Sequence, residues 1–261
     1  MTRPHRLVGA FVLPLQEGET VPVTASDHSG PAANAGQNDN EGVCAGQSDA
    51  QGRLTRLAEL ITSSPHNLVA ASERPHVLER HVFEGDALAA SLQPAGRWMD
   101  LGTGGGLPGL VLAVRFPEVQ WTLMDATAKK VAAVASFAAA LGLDNVVTVH
   151  SPAEILAHDP AHRGVYDGVV SRAVAPLRTL AELGRGFLKP GGHLVAVKGP
   201  RWEDEVAAAA GALRRLHMRV IHSEVLAAAV RPTWVVTMAA DGPPPAGFPR
   251  RPGLPKHEPL Q

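Results

Sequence analysis

Cysteine is nearly absent from this chain. A single one, Cys44, among 261 residues excludes an internal disulfide framework and a multi-cysteine zinc site, and a reducing cytoplasm is the expected compartment. Aromatic residues are scarce too, with one Tyr, six Phe and four Trp. No base-stacking platform can be assigned from so few, and Trp202 and Trp234 read as packing residues. The apolar run from Leu7 to Leu15 follows Arg3 and Arg6 as in a signal segment. It lacks a small-residue cleavage site and falls short of the roughly 20 residues a membrane helix needs. No metal constellation is visible, and neither a metal nor a membrane partner is expected.

Charge of neither sign dominates, the net being −1. That balance hides an asymmetry. Residues 1–52 hold two arginines against six acids, which leaves 22 basic and 19 acidic residues in the remainder. A mildly basic body is compatible with an RNA substrate without requiring one. Residues 16–52 are rich in Gly, Ser, Asn, Asp and Gln, so 1–52 is expected to be a disordered, low-complexity extension. Residues 241–261 form a proline-rich tail carrying Arg250, Arg251 and Lys256.

Between them, residues 53–240 read as one domain. Leucines at helical spacing mark a helix over Arg53–Thr62 and a second over His76–Leu92. Strands then alternate with helices: strands at Trp98–Leu101, Gln120–Asp125, Val146–His150, Gly168–Ser171 and His193–Lys198, helices at Leu107–Arg115, Ala128–Leu141, Ala175–Phe187 and Trp202–Leu216. This alternation predicts a parallel sheet covered on both faces. Arg219–Leu226 and Thr233–Met238 read as a closing strand pair.

Chemistry concentrates at Asp100-Leu-Gly-Thr-Gly-Gly-Gly-Leu-Pro-Gly, where Gly102, Gly104, Gly106 and Gly109 follow a short apolar run. A strand, a tight turn and a helix start let backbone approach a nucleotide-like ligand where a Cβ would obstruct it. The spacing fits the turn that cradles S-adenosylmethionine and equally a dinucleotide fingerprint. Asp125, ending the next apolar run, sits where an acid binds ribose hydroxyls in either case. Asp100 has no role in the dinucleotide fingerprint, but in a methyltransferase it would support the loop or, through water, the methionine end. The closing strand pair points the same way, because class I methyltransferases insert an antiparallel last strand where dinucleotide domains continue in parallel. The expected fold is therefore α/β, a Rossmann-like class I methyltransferase with a seven-stranded, mostly parallel sheet.

With these pieces placed, the chain resembles the RsmG (GidB) family from about Arg53 to the C-terminus. The glycine stretch matches the family's Asp-Val/Leu/Ile-Gly-Thr/Ser-Gly-x-Gly-Leu-Pro-Gly. Ser171-Arg172-Ala173-Val174-Ala175 matches its run after the fourth strand, Lys198-Gly199 its ending of strand five, and Phe248-Pro-Arg-Arg-Pro-Gly-Leu-Pro its C-terminal pattern. Arg80-His81 matches the start of its Arg-His-x-x-Asp-Ser segment, but Glu84-Gly85 stands where the family has Asp-Ser. The family's N-terminal Trp-Asn-x-x-x-Asn-Leu-Thr is reduced to His66-Asn67-Leu68-Val69.

The resemblance implies methyl transfer from S-adenosylmethionine to guanine N7 in the 530 loop of 16S rRNA, acting on the RNA or the 30S subunit as a monomer. It implies cofactor contacts at Gly102, Gly104, Gly106, Leu107, Asp125, Ala126, Thr127, Ala153, Glu154 and Arg172, with Asp100 in support. No acid–base pair is named, and Arg172 and His81 are candidates for positioning. Arg80, Lys129, Lys130, Lys198, Arg201, Arg250 and Arg251 are candidate phosphate contacts. The alternatives are a methyltransferase of the same fold acting on another RNA or a small molecule, and a cofactor-binding relative without catalysis, which the change at Glu84-Gly85 motivates. An NAD-linked oxidoreductase is the weakest reading.

Overall fold

The computed structural model describes residues 39–227 and 229–261. The apolar run Leu7–Leu15 and most of the expected N-terminal extension lie outside the described residues. Seven strands form one sheet: β1 (Arg97–Leu101), β2 (Gln120–Asp125), β3 (Val146–His150), β4 (Tyr166–Arg172), β5 (Leu188–Lys198), β6 (Met218–Val225) and β7 (Trp234–Ala240). Their spatial order is β3-β2-β1-β4-β5-β7-β6. Strands β1 to β5 pair in parallel, and β7 lies antiparallel between β5 and β6. This is the class I methyltransferase sheet that the strand–helix alternation and closing strand pair predict.

The inner strands are buried on both faces, so they read as nearly continuous apolar runs. Alternation decides which side each residue joins. Trp98, Trp121, Leu123, Val170, Val195 and Val197 belong to one core, with Leu54, Leu57, Ile61 and Leu110. Met99, Leu101, Met124, Val169, Leu194 and Ala196 belong to the other, with Leu177, Leu180 and Leu213. Helices α3 (Gly109–Arg115), α4 (Ala128–Ala140), α5 (Ala153–Leu156), α6 (Leu177–Arg185) and α7 (Trp202–Arg215) follow β1 to β5 in turn, after α1 (Asp39–Ser63) and α2 (Phe83–Ala90).

Three expectations need correction. Helix α1 begins at Asp39, inside the segment read as low-complexity, so the boundary placed at residue 52 falls within a helix. Ala50, Leu54, Leu57 and Ile61 meet the core, and that burial outweighs a weak local pattern. The stretch His76–Leu92 is not one α-helix. A 3-10 segment with Pro75 inside it (Ala71–His76) leads to a wide-turn π segment (Val77–Val82), and α2 completes the run. The Phe83 N–H reaching back to the Leu78 carbonyl marks the widened turn. Such turns recur at functional sites.

The tail is also more than a basic extension. Arg163 donates to the Phe248, Pro244 and Pro245 carbonyls, and buried Arg185 donates to those of Gly242 and Pro243. A short helix, α8 (Leu254–His257), follows, and the Thr179 hydroxyl donates to the Pro255 carbonyl. The tail is fastened along the α6 side of the domain.

Candidate functional site

Strand order reverses between β1 and β4, since the chain winds outward to β3 on one side and to β5 on the other. Ligands of open α/β sheets bind at such a switch point, beyond the carboxyl ends of the strands. A cavity of about 490 Å³ lies there, lined by Leu101–Gly105 and Leu107 after β1, Met124–Ala126 after β2, Ala153 and Glu154 after β3, and Arg172–Val174 after β4.

Hydrogen bonds to two carboxylates hold the glycine loop in shape. The Gly102 and Thr103 N–H groups donate to the Met124 carbonyl, at 3.0 and 2.9 Å. Asp125 accepts from the Gly104 N–H at 3.0 Å and from the Thr127 N–H at 2.8 Å, so it ties the loop to the start of α4. Gly102 has φ +75, and a Cβ there would stand 2.5 Å from a methyl of Val174. Both the turn and the wall of the cavity therefore require glycine at this position.

Asp100 lies beneath the loop and is fully buried. Its Oδ2 accepts from the Thr103 hydroxyl at 2.7 Å and the Gly109 N–H at 2.9 Å, while Oδ1 has no partner. Burial pushes its carboxyl up to about 6, against the lowering effect of those two bonds and of the Arg172 charge. Of the expected cofactor residues, Gly102, Gly104, Leu107, Asp125, Ala126, Ala153, Glu154 and Arg172 line the cavity. Asp100, Gly106 and Thr127 do not. Gly106 turns against Leu110, and Thr127 offers its N–H to Asp125. Glu154 meets the cavity with only part of its carboxylate free, because Oε1 accepts the Gly253 N–H from the tail at 3.0 Å.

A second cavity of about 860 Å³ adjoins the first and shares Leu68, Val69, Arg172, Ala173 and Val174 with it. It is lined by charge: Glu73, Glu84 and Glu205 against Arg80, Arg172, Lys198 and Arg231, with His81 among them. Arg172 donates to Glu84 Oε1 at 2.9 Å, and the Thr233 hydroxyl meets Glu84 Oε2 at 3.2 Å. Ala173, in the shared wall, has φ +56, a left-handed conformation that costs a residue with a Cβ on the order of 1–3 kcal/mol.

The phosphate-directed candidates divide. Lys129, Arg201 and Arg251 are exposed. Lys130 turns toward the first cavity, and Arg80 pairs with Glu73 at 3.2 Å. Two of these candidates are held by partners within the protein. Lys198 is 8% exposed, bound to the Ala175 carbonyl and Glu205. Arg250 forks onto Glu182, which is fully buried, with two bonds of 2.8 Å. Arg250 satisfies a buried carboxylate that would otherwise stand unpaired, while Lys198 ties β5 to the start of α7 through Glu205. Sequence reasoning missed Glu73, Arg231 and Thr233, which come together only through the fold. The sole sequence signal was the departure at Glu84.

The chemistry of the first cavity fits S-adenosylmethionine. Asp125 offers a carboxylate for ribose hydroxyls, Leu101, Met124 and Ala153 offer apolar surface for adenine, and the loop gives a path that a Cβ at Gly102 would close. Among the described residues no cluster of His, Cys, Asp or Glu could hold a metal ion, and no helix is long and apolar enough to cross a membrane.

Comparison with known proteins agrees with this geometry. Ribosomal RNA small subunit methyltransferase G of Deinococcus radiodurans is 38% identical over 214 residues, covering 80% of this chain and 85% of its own. The protein of the same name from Deinococcus deserti is 46% identical over 166 residues, 62% of this chain and 67% of its own. The solved structure of the cyclase SpnF superposes with a TM-score of 0.50 at 16% identity, covering 76% of this chain and 96% of that one, a likeness of fold alone. A family model matches residues 52–232, and the chain belongs to that family, GidB, rRNA small subunit methyltransferase G.

Proposed function

We propose that this protein transfers the methyl group of S-adenosylmethionine to N7 of a guanine in the 530 loop of 16S rRNA, acting as a monomer in the cytoplasm. The observation that carries this reading is the pair of adjoining cavities with Arg172, Ala173 and Val174 in their common wall. The first fits the methyl donor, and the second has room for a nucleobase beside it.

When bound, S-adenosylmethionine supplies an electrophilic methyl on its sulfonium. Guanine N7 carries an in-plane lone pair and no proton, so the chain needs no general base. Its work is positioning, with donor, methyl and acceptor held near a line. Asp125 would hold the ribose hydroxyls, and the Gly102–Gly105 backbone would lie against the cofactor along the wall of the first cavity. The purine gains positive charge as the bond forms, and the second cavity meets it with a mixed lining in which Glu73, Glu84 and Glu205 pair with Arg80, Arg231, Arg172 and Lys198. Lys129, Arg201 and Arg251 are the exposed cations proposed to meet phosphates outside the cavities.

Binding of a 16S rRNA fragment over a salt series tests the RNA assignment. Each of K129A, R201A and R251A should lower the salt slope by about one while leaving cofactor affinity intact. Slopes equal to that of the unsubstituted protein for all three would remove this surface from the RNA interface.

A further inference from the structure

Four side chains from four segments form a continuous chain behind the wall between the two cavities. Glu73 Oε2 lies 3.4 Å from His81 Nε2, and His81 Nδ1 lies 3.3 Å from Arg172 Nη1. Arg172 Nη1 in turn reaches Glu84 Oε1 at 2.9 Å. Glu73 Oε2 and His81 Nε2 are both buried and neither has a hydrogen-bond partner, so their approach is a charge contact between two otherwise unpartnered atoms. Glu73 is itself held from its other oxygen, which accepts from Arg80 at 3.2 Å and Arg231 at 2.6 Å.

These neighbours fix the imidazole's protonation. A guanidinium only donates, so the His81 nitrogen facing Arg172 must accept. The ring proton then sits on Nε2, the nitrogen 3.4 Å from the Glu73 carboxylate. Arg172 and Arg231 are the cations facing the ring, and Glu73 and Glu84 are the anions. Burial, then the Arg172 charge, holds the imidazole pKa below its usual 6.5, with the two carboxylates opposing.

We propose that His81 is a positioning residue for methyl transfer: as the neutral Nε2–H tautomer set by Glu73, it holds the Arg172 guanidinium in place at the wall shared by the two cavities. The role rests on the methyltransferase reading above. Protonation of His81 would set an Nδ1–H against the Arg172 N–H, donor against donor and cation against cation. Arg172 would then keep Glu84 alone as its side-chain partner, and the wall would lose its fixed geometry.

Two measurements on the full chain test this. Nitrogen-15 ring shifts report the tautomer directly. At neutral pH His81 should be neutral with its proton on Nε2, and an Nδ1–H tautomer or an imidazolium would overturn the proposal. The second measurement is the pH profile of kcat on 30S subunits at saturating S-adenosylmethionine, a condition that limits the influence of Asp100 on cofactor binding. H81A should lower kcat about 10–100-fold while the cofactor KM stays within about twofold. H81Q, whose carboxamide can accept from Arg172 and donate to Glu73 without titrating, should recover much of that rate and lose the histidine part of the acid limb. Undiminished kcat in H81A, or an unchanged acid limb in H81Q, would overturn the role alone. No transfer by the unsubstituted protein at any pH would overturn the functional reading and the role with it.

Discussion

Asp100 offers the sharpest link between the architecture of the loop and a bulk measurement. Its carboxyl is fully buried, accepts two bonds on Oδ2 and leaves Oδ1 without a partner. Desolvation is the largest influence and raises its pKa from 3.8 to about 6. The folded state therefore prefers the protonated acid. This contribution to stability is complete below 3.8 and is lost as pH rises through about 6, a difference of roughly 3 kcal/mol. D100N keeps an oxygen for Thr103 and Gly109 but cannot titrate. Urea unfolding of both proteins over a pH series isolates the effect, because every other group cancels in the difference. The unfolding free energy of D100N relative to the unsubstituted chain should increase by roughly 2–3 kcal/mol between about pH 4 and pH 8, or about 5–10 °C in Tm. A difference that stays flat, or moves toward the unsubstituted chain as pH rises, would refute the assignment of a destabilised carboxylate beneath the loop.

Three further outcomes follow from the same contacts. R250A strands the buried Glu182 carboxylate, so it should cost about 3–5 kcal/mol in urea unfolding while leaving the salt slope of RNA binding unchanged. G102A must place a Cβ at φ +75 against Val174, so it should lower the unfolding free energy in urea by at least about 1–2 kcal/mol. D125A removes the acceptor of the Gly104 and Thr127 N–H groups together with the proposed ribose contact. Calorimetry should find S-adenosylmethionine affinity reduced about 10–100-fold, since hydrogen bonds to charged groups contribute about 1.5–3 kcal/mol each.

Much of the fold was legible because its inner strands are buried on both faces and alternate with helices. Trp98–Leu101 and Gln120–Asp125 stand out locally, and the structure places them within a residue of their expected limits. The start of β5 was not legible. Lys189-Pro-Gly-Gly looks like a turn, yet the strand starts at Leu188, which pairs with Tyr166 before the register shifts. The glycine loop that the motif marks lines the first cavity, because its turn is set by local sequence. Charge was the least legible feature. Pro249-Arg250-Arg251-Pro252 looks like an exposed basic patch, but the partner that claims Arg250 is Glu182, 68 residues away. Likewise Lys198 turns inward to the Ala175 carbonyl. The Glu73–His81–Arg172–Glu84 chain was hidden because a 3-10 segment and a π segment set the directions of Glu73 and His81, where a regular helical pattern gives the wrong faces.

The activity proposed for the two adjoining cavities is methyl transfer to one purine nitrogen of small-subunit RNA. The direct measurement incubates this protein and radiolabelled S-adenosylmethionine with 30S subunits from a strain lacking its own enzyme, then maps the labelled nucleotide. One label is expected, at N7 of a guanine in the 530 loop, formed about 10–100-fold more slowly by D125A when the cofactor is well below saturation. Label elsewhere, or none from protein that binds the cofactor by calorimetry, would contradict it.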